Sequence, residues 1–222
     1  IGRFQNWEQI ANYPIDNDRK GNRTVVPGDI MYKDQNNDGV INYLDERPIG
    51  YRVDSTPTLN FGINLSASWK GFDLAMDWTG SGMTSWNQCY ETARPFQNDG
   101  NSPDEVLKDA WHLSDIWDAN SPLIPGKYPM IRLNTDETSA YDKSSYWLHN
   151  VTYLKLRNLE VGYTFPKTWL NKTGISNLRL FVSGTNLLTL SNLSVMDPEC
   201  ASDNGLDYPP MRVINIGVNL KF

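Results

Sequence analysis

From Arg212 to Phe222 apolar and polar residues alternate without a break. Ile214, Ile216, Val218, Leu220 and Phe222 share one parity, and Asn215, Gly217, Asn219 and Lys221 share the other. Successive strand side chains point to opposite faces, so the segment reads as a strand with one apolar and one polar side. Residues 59–69 repeat the pattern, with Leu59, Phe61, Ile63, Leu65, Ala67 and Trp69 set against Asn60, Gly62, Asn64, Ser66 and Ser68. After Lys70-Gly71, Phe72, Leu74, Met76 and Trp78 alternate with Asp73, Ala75 and Asp77. Gly71 supplies the positive φ of a tight hairpin. A third segment, 153–165, is apolar at Leu154 and Leu156 and then at Leu159, Val161, Tyr163 and Phe165. That one-residue change of phase predicts a β-bulge near Arg157-Asn158, because a strand changes faces only with an extra residue. Leu178, Leu180 and Val182 open a fourth strand.

The connections carry the topology. Lys70-Gly71 is minimal, and 166–177 is short, wrapped around a possible helix from Lys167 to Lys172, whereas 80–150 and 185–210 are long. Alternation of short turns with long loops is how bacterial outer-membrane barrels are wired, and strands of about ten residues ending on an aromatic fit the same plan. The predicted fold is therefore all-β, an antiparallel transmembrane β-barrel segment of about five C-terminal strands with long extracellular loops. Residues 1–56 are expected to form an extracellular loop region, and 57–222 the barrel strands with loops 80–150 and 185–210. Apolar parities should face lipid, Trp69, Phe72 and Phe222 near the periplasmic interface and Trp78 nearer the outer one. Five strands span only ~24 Å, whereas the smallest closed barrels need about eight. Open edges are forbidden in hydrocarbon, so the segment is one piece of a larger barrel or is closed by further copies of itself; a piece is the expectation.

Composition alone points elsewhere. A mean hydropathy of -0.52 looks soluble, and no apolar run reaches the roughly 18–20 residues of a membrane helix. Barrel strands escape such scans because every second residue faces a polar lumen. Net charge -6 excludes a nucleic-acid partner, which needs a basic surface. Aromatic content of 12%, with 8 Trp and 11 Tyr, fits interfacial belts or sugar platforms. Ile1-Gly-Arg-Phe-Gln is no signal peptide, so an exported protein would begin upstream of it.

The best chemical motif is Asp34-Gln-Asn36-Asn-Asp38-Gly39-Val40-Ile41-Asn42-Tyr-Leu-Asp45. It places oxygen ligands at positions 1, 3, 5, 7, 9 and 12 of a calcium loop with glycine at 6. Asp34, Asn36, Asp38 and Asp45 would offer side-chain oxygens, Val40 a backbone carbonyl, and Asn42 a direct or water-mediated contact. The final ligand is Asp rather than Glu, and no helical periodicity flanks the loop, which makes it a Ca²⁺ site in a loop rather than a switch. The other reading is an Asx-rich turn capped by its own side chains. Trp86, Trp111, Trp117 and Trp147 could stack on sugar rings or pack the loops. His112 and His149 lack the spacing of a zinc or nucleophile site. Asp73 and Asp77, four residues apart on the same parity, read as wet-face solvation rather than hydrolase carboxylates. Cys89 and Cys200 could form a disulfide in an exported protein, although nothing in their placement supports one. Ser102-Pro103 reads as the N-cap and first position of a short helix. No nucleophile is paired with a base, so an enzyme is not expected.

Several runs together resemble the SusC/RagA group of TonB-dependent outer-membrane transporters. They are Pro27–Gly39, Lys70-Gly-Phe-Asp-Leu74, Tyr153–Pro166, Ile175–Leu188, Asp197-Pro-Glu199 and Tyr208-Pro-Pro210, with the Phe222 ending. The resemblance covers nearly the whole chain in order and spacing, and maps to the C-terminal part of such a transporter. It implies Bacteroidetes-type bacteria and a barrel of about 22 strands. A plug and a TonB-contacting segment would then lie upstream, and a SusD-like lipoprotein would deliver oligosaccharides or peptides. A passive structural or adhesive barrel without TonB coupling is the alternative.

Overall fold

The elements, in order, are β1 (Gly2–Arg3), α1 (Trp7–Ala11), β2 (Ile30–Met31), β3 (Leu59–Trp69), β4 (Phe72–Asn87), α2 (Asp104–Lys108), β5 (His112–Leu113), β6 (Leu123–Ile124), β7 (Leu148–Thr164), α3 (Lys167–Leu170), β8 (Asn177–Ser191) and β9 (Val213–Lys221). The computed structural model describes all residues except 1, 54–55, 134–137, 172–173, 201–203 and 206. The proposed helix end at Lys172 lies outside the described residues. The chain divides into two compact units, one built from 1–50, 87–149 and 202–205, the other from 51–86, 150–201 and 206–222.

The second unit is a five-stranded sheet in the order β3-β4-β7-β8-β9. Its antiparallel ladders follow the alternation. Ile63 pairs with Trp78, Leu65 with Met76 and Trp69 with Phe72, Val161 with Val182 and Tyr163 with Leu180, and Val182 with Ile216, Leu180 with Val218 and Leu178 with Leu220. Cross-strand partners share a face, so these pairs assemble one continuous apolar surface. Leu65, Val161, Val182, Ile216 and Val218 on it are all exposed. The β3–β4 turn has φ 48° at Lys70 and 90° at Gly71, the two positive values of a type I′ hairpin.

Between Leu156 and Asn158 the β7–β8 register shifts, where the change of apolar phase predicts a bulge. The contacts show its consequence. Arg157 Nε donates to Thr79 Oγ1 at 3.1 Å and Asn158 Nδ2 to Asp77 Oδ2 at 3.2 Å. Two consecutive side chains thus reach the same polar face, which leaves Leu154 and Leu156 in phase with Leu159, Val161 and Tyr163.

Strands run farther than alternation indicates. β4 continues to Asn87, β7 starts at Leu148 and β8 reaches Ser191, so the two long connections are 88–147 and 192–212 rather than 80–150 and 185–210. Residues 80–87 carry little apolar alternation, and Met83 has φ 55°, yet this stretch is almost entirely buried. Strand pairing and packing, not a lipid-facing pattern, hold the upper part of β4.

In the first unit, Ile30, Ala93, Val106, Ala110, Tyr128, Ala140, Tyr141 and Trp147 make the core. Trp147 stacks on Tyr141 at 5.6 Å, meets Tyr146 edge-on at 4.7 Å, and donates from Nε1 to the Ala140 carbonyl at 3.0 Å. A smaller cluster joins Phe4, Ile10 and Val25. Asp29, fully buried, pairs with Arg132 at 2.5 Å. Helix α2 is capped by Pro103 and starts at Asp104, one residue later than the Ser102 cap of the sequence reading, and Ser102 makes no side-chain cap. No helix among the described residues is long and apolar enough to cross a membrane, which says nothing of crossing by strands.

Candidate functional site

In a barrel wall the polar face of the sheet would be the lumen side, and most of the charges on this face of β4, β7 and β8 are engaged with one another. Arg179 on β8 donates to Glu160 Oε1 at 2.6 Å and from Nε to Asp73 Oδ1 at 3.1 Å. Asp73 lies on β4 and Arg179 two strands away on β8, so the guanidinium must pass over β7. Gly162 permits this, since a Cβ there would sit 2.4 Å from Arg179 Nη2. Asp73 is therefore ion-paired and Asp77 hydrogen-bonded, rather than merely solvated.

A second constellation was not legible in the sequence. Lys155, only 1% exposed, points its Nζ at Asp197 Oδ2 (2.9 Å) and Glu199 Oε2 (2.7 Å). Glu199 also pairs with Arg157, and Arg157 Nη1 reaches Asn186 Oδ1 at 3.2 Å. The carboxylates arrive from the 192–212 connection, more than forty residues farther along the chain than the lysine. A lysine at an inner strand position reads as a solvated charge until its distant partners are placed.

In the first unit the loop 34–45 is held by Asx bonds. Asp34 accepts the N–H groups of Asn37 (2.6 Å) and Gly39 (2.8 Å), Asn36 that of Asp38 (3.1 Å), and Asp38 that of Val40 (2.9 Å). Asp45 accepts from Gln35 (2.7 Å) and Asn42 (2.9 Å), and Asn42 from Leu44 (2.8 Å). The N–H groups of Asn42 and Gln35 hold the Asp45 carboxyl below its ordinary pKa, so it is charged at neutral pH. Gly39 takes φ 84°, the sharp turn its place in the motif requires. The outer backbone is clamped by Asp16, whose N–H donates to Gly39 O (2.8 Å) and whose carbonyl accepts from Ile41 (2.9 Å). Among the described residues no three His, Cys, Asp or Glu side chains gather into a metal-holding cluster. The carboxylates face their own backbone, each oxygen keeping a second lone pair.

The four tryptophans separate. Trp111 and Trp147 are buried in the first unit and Trp86 in the second, where it packs with Val151 and Leu193. Rings covered by the chain itself offer no face to a sugar, which corrects the platform reading for these three. Trp117, 90% exposed, stays available. His112 Nδ1 lies 2.9 Å from Ala110 O, and His149 Nε2 lies 3.0 Å from Gln88 Oε1. Cys89 and Cys200 are not joined by a disulfide.

No protein-family model matches the chain. Relatives and solved structures do. TonB-dependent receptor P3 of Formosa agariphila is 30% identical over 241 aligned residues, covering 100% of this chain and 22% of the relative. SusC of Bacteroides thetaiotaomicron, also a TonB-dependent receptor, is 31% identical over 84 residues, 36% of this chain and 8% of its own. The RagAB peptide transporter superposes with a TM-score of 0.56 at 25% identity, over 83% of this chain and 19% of that one. The chain is a segment of a SusC/RagA-type TonB-dependent receptor. It spans about a fifth of the length of the curated relatives it matches, so an open five-stranded sheet is what a part of such a barrel must look like. TonB-dependent receptors are in general outer-membrane proteins, and the exposed apolar face of this receptor's sheet is the surface that lipid would cover.

Proposed function

We propose that this segment is the C-terminal wall, with its outer loops, of an energy-coupled importer that moves oligosaccharides or peptides across the bacterial outer membrane. The observation that carries the reading is the whole-chain match to TonB-dependent receptors. A sheet with an exposed apolar face and an internally paired polar face is consistent with it. A SusD-like surface lipoprotein would work with it at the outer side, and TonB would engage a segment upstream of residue 1. Of the two cargo classes, peptides gain support from the likeness to the RagAB peptide transporter. Glycans lose the stacking argument at Trp86, Trp111 and Trp147 and keep it only at Trp117.

In the same reading the loop 34–45 takes Ca²⁺. Asp34, Asn36, Asp38 and Asp45 would hold the ion with the Val40 carbonyl, and Asn42 would contact it directly or through water. The supports are the ligand spacing, the positive φ at Gly39 and the ionised Asp45. Calcium would stiffen a loop and do no chemistry.

The test is uptake by cells carrying the full-length receptor, with and without TonB. Growth on a peptide or glycan that requires TonB, with a surface lipoprotein co-purifying, is the expected result. Uptake indifferent to TonB would leave the passive barrel.

A further inference from the structure

The connection between β8 and β9 does not simply rise away from the sheet. After Ser191, Asn192 clamps the start of β7, accepting from Thr152 N at 2.8 Å and donating from Nδ2 to Asn150 O at 2.6 Å. Leu193, Val195 and Met196 then pack against Trp86, Val151 and Tyr153. Next, Asp197 and Glu199 descend to Lys155 and Arg157. Lys155 is paired in register with Thr189 and Tyr153 with Ser191, so the carboxylates lie below the end of β8, beside the wall. The face they meet is settled by Arg157 and Asn158, which bond to Thr79 and Asp77 of the polar row.

We propose that residues 192–200 form a strap folded into the barrel's outer mouth, where it narrows the passage, and that Lys155 and Arg157 pin it there. Its two halves match the two kinds of wall beneath them, apolar on Trp86, Val151 and Tyr153, acidic on Lys155 and Arg157. Strands alone would need nothing from this connection but length. An inward fold that buries a lysine to 1% exposure with two carboxylates at 2.7–2.9 Å is a built contact. The inference rests on the polar face being the lumen, not on the cargo or on TonB.

Cys200, at the end of the strap, reports the test. Burial and the Asp197 carboxylate push its thiol above the ordinary value, so it reacts slowly while the strap is docked. The full-length receptor with Cys89→Ser is treated in intact cells with a bulky, membrane-impermeant maleimide, and labelling is read only in the heat-modifiable band that marks a folded barrel. Wild-type Cys200 should react far more slowly than in the urea-unfolded chain. Lys155→Met and the near-isosteric Glu199→Gln should speed labelling by about tenfold or more, and Lys155→Arg should stay close to wild type. A wild-type rate equal to that of the unfolded chain overturns the strap whatever the variants do. Unchanged rates in folded Lys155→Met and Glu199→Gln overturn the pin. Loss of the heat-modifiable band in the parent receptor would instead overturn the barrel reading, a separate failure.

Discussion

Replacing Ile216 by arginine tests whether the apolar face of the sheet lies in hydrocarbon. Ile216 is 83% exposed, and its cross-strand partner Val182 pairs in turn with Val161, so three strands present aliphatic side chains at this level. Ile216 stands five residues before Lys221, the last residue of β9. At ~3.3 Å per residue and a tilt of ~45°, this puts it about 12 Å above the strand's end, near the middle of an apolar band about 25 Å tall. Arginine at that depth should cost about 2–4 kcal/mol, or roughly thirtyfold to nearly a thousandfold in the folding equilibrium. Asn215→Arg is the control, one residue away on the opposite face, where it pairs with Ser183. Urea unfolding of the full-length receptor in liposomes, followed by heat-modifiable gel mobility, should show Ile216→Arg strongly destabilised and Asn215→Arg close to wild type. Equal losses, or the greater loss at Asn215, would refute the assignment of faces.

The buried ion network gives a second expectation. Lys155→Met leaves Asp197 and Glu199, 16% and 15% exposed, facing an apolar side chain, so about 3–5 kcal/mol should be lost in the same unfolding assay; a change below 1 kcal/mol would mean that the pair is solvated. Gly162→Ala would drive a Cβ into the Arg179 guanidinium and should cost about 1–3 kcal/mol, measured against Gly62→Ala, whose nearest atom is 3.6 Å away. Asp18 is set by two opposing influences: burial raises its carboxyl, but N–H donations from Thr24, Lys20 and Asn22 and the Thr24 hydroxyl prevail and hold it at about 2. A depressed acid contributes fully above its ordinary value near 3.8 and loses that contribution as pH falls toward 2. The lost contribution is about 2 kcal/mol, and Asp18→Asn should flatten that acid limb in a pH series of unfolding midpoints. For the loop 34–45, CaCl₂ should raise the thermal midpoint of the wild type and EGTA reverse it, while Asp34→Asn should respond to neither. Identical midpoints with and without calcium would leave the loop as a self-capped turn.

Strands and bulge were legible because a binary alternation has only two phases, and a wall between lipid and lumen enforces one of them at every position. Leu154, Leu156 and then Leu159 could share a face only where the ladder is interrupted, and the register shifts there, with Arg157 opposite both Asn186 and Leu187. The ends of β4 and β7 were not legible, because residues such as Gly80–Asn87 need no apolar parity there and are held by packing that periodicity does not encode. Nor does alternation say where a loop tryptophan points. Trp147 and Trp117 sit in similar polar surroundings along the chain, yet one is the centre of a core and the other is almost bare. The Lys155 pin was hidden because its partners, Asp197 and Glu199, are remote in sequence. The loop 34–45 was legible as a motif because its Asx spacing is local; it reads as a calcium loop, with an Asx-rich turn as the other reading, and its side-chain-to-backbone bonds are just as local.

The pairing of inner-face charges bears on where cargo is selected. A passage must bind its load well enough to admit it and weakly enough to release it, and a fixed unpaired charge on the wall would hold an oppositely charged load. Here Arg179 is paired with Asp73 and Glu160, Lys155 and Arg157 are paired with Asp197 and Glu199, and Asp77 meets only the Asn158 amide, which leaves a small acidic excess on a face otherwise rich in Asn60, Asn64, Asn215 and Asn219. In the proposed importer such a wall would guide cargo more than choose it. The first unit instead carries the bare Trp117 between Asp115 and Asp118, whose carboxylates accept from Trp117 N at 2.9 Å and Asn120 N at 2.9 Å and so fix the tip. Exchanging 88–147 for the equivalent stretch of a receptor with known cargo should therefore transfer cargo preference in a TonB-dependent growth assay. Exchanging Asn60, Asn64, Asn215 and Asn219 together for that receptor's inner-face residues should leave preference unchanged. Preference that follows the asparagines and ignores 88–147 would place selection in the wall and refute the argument.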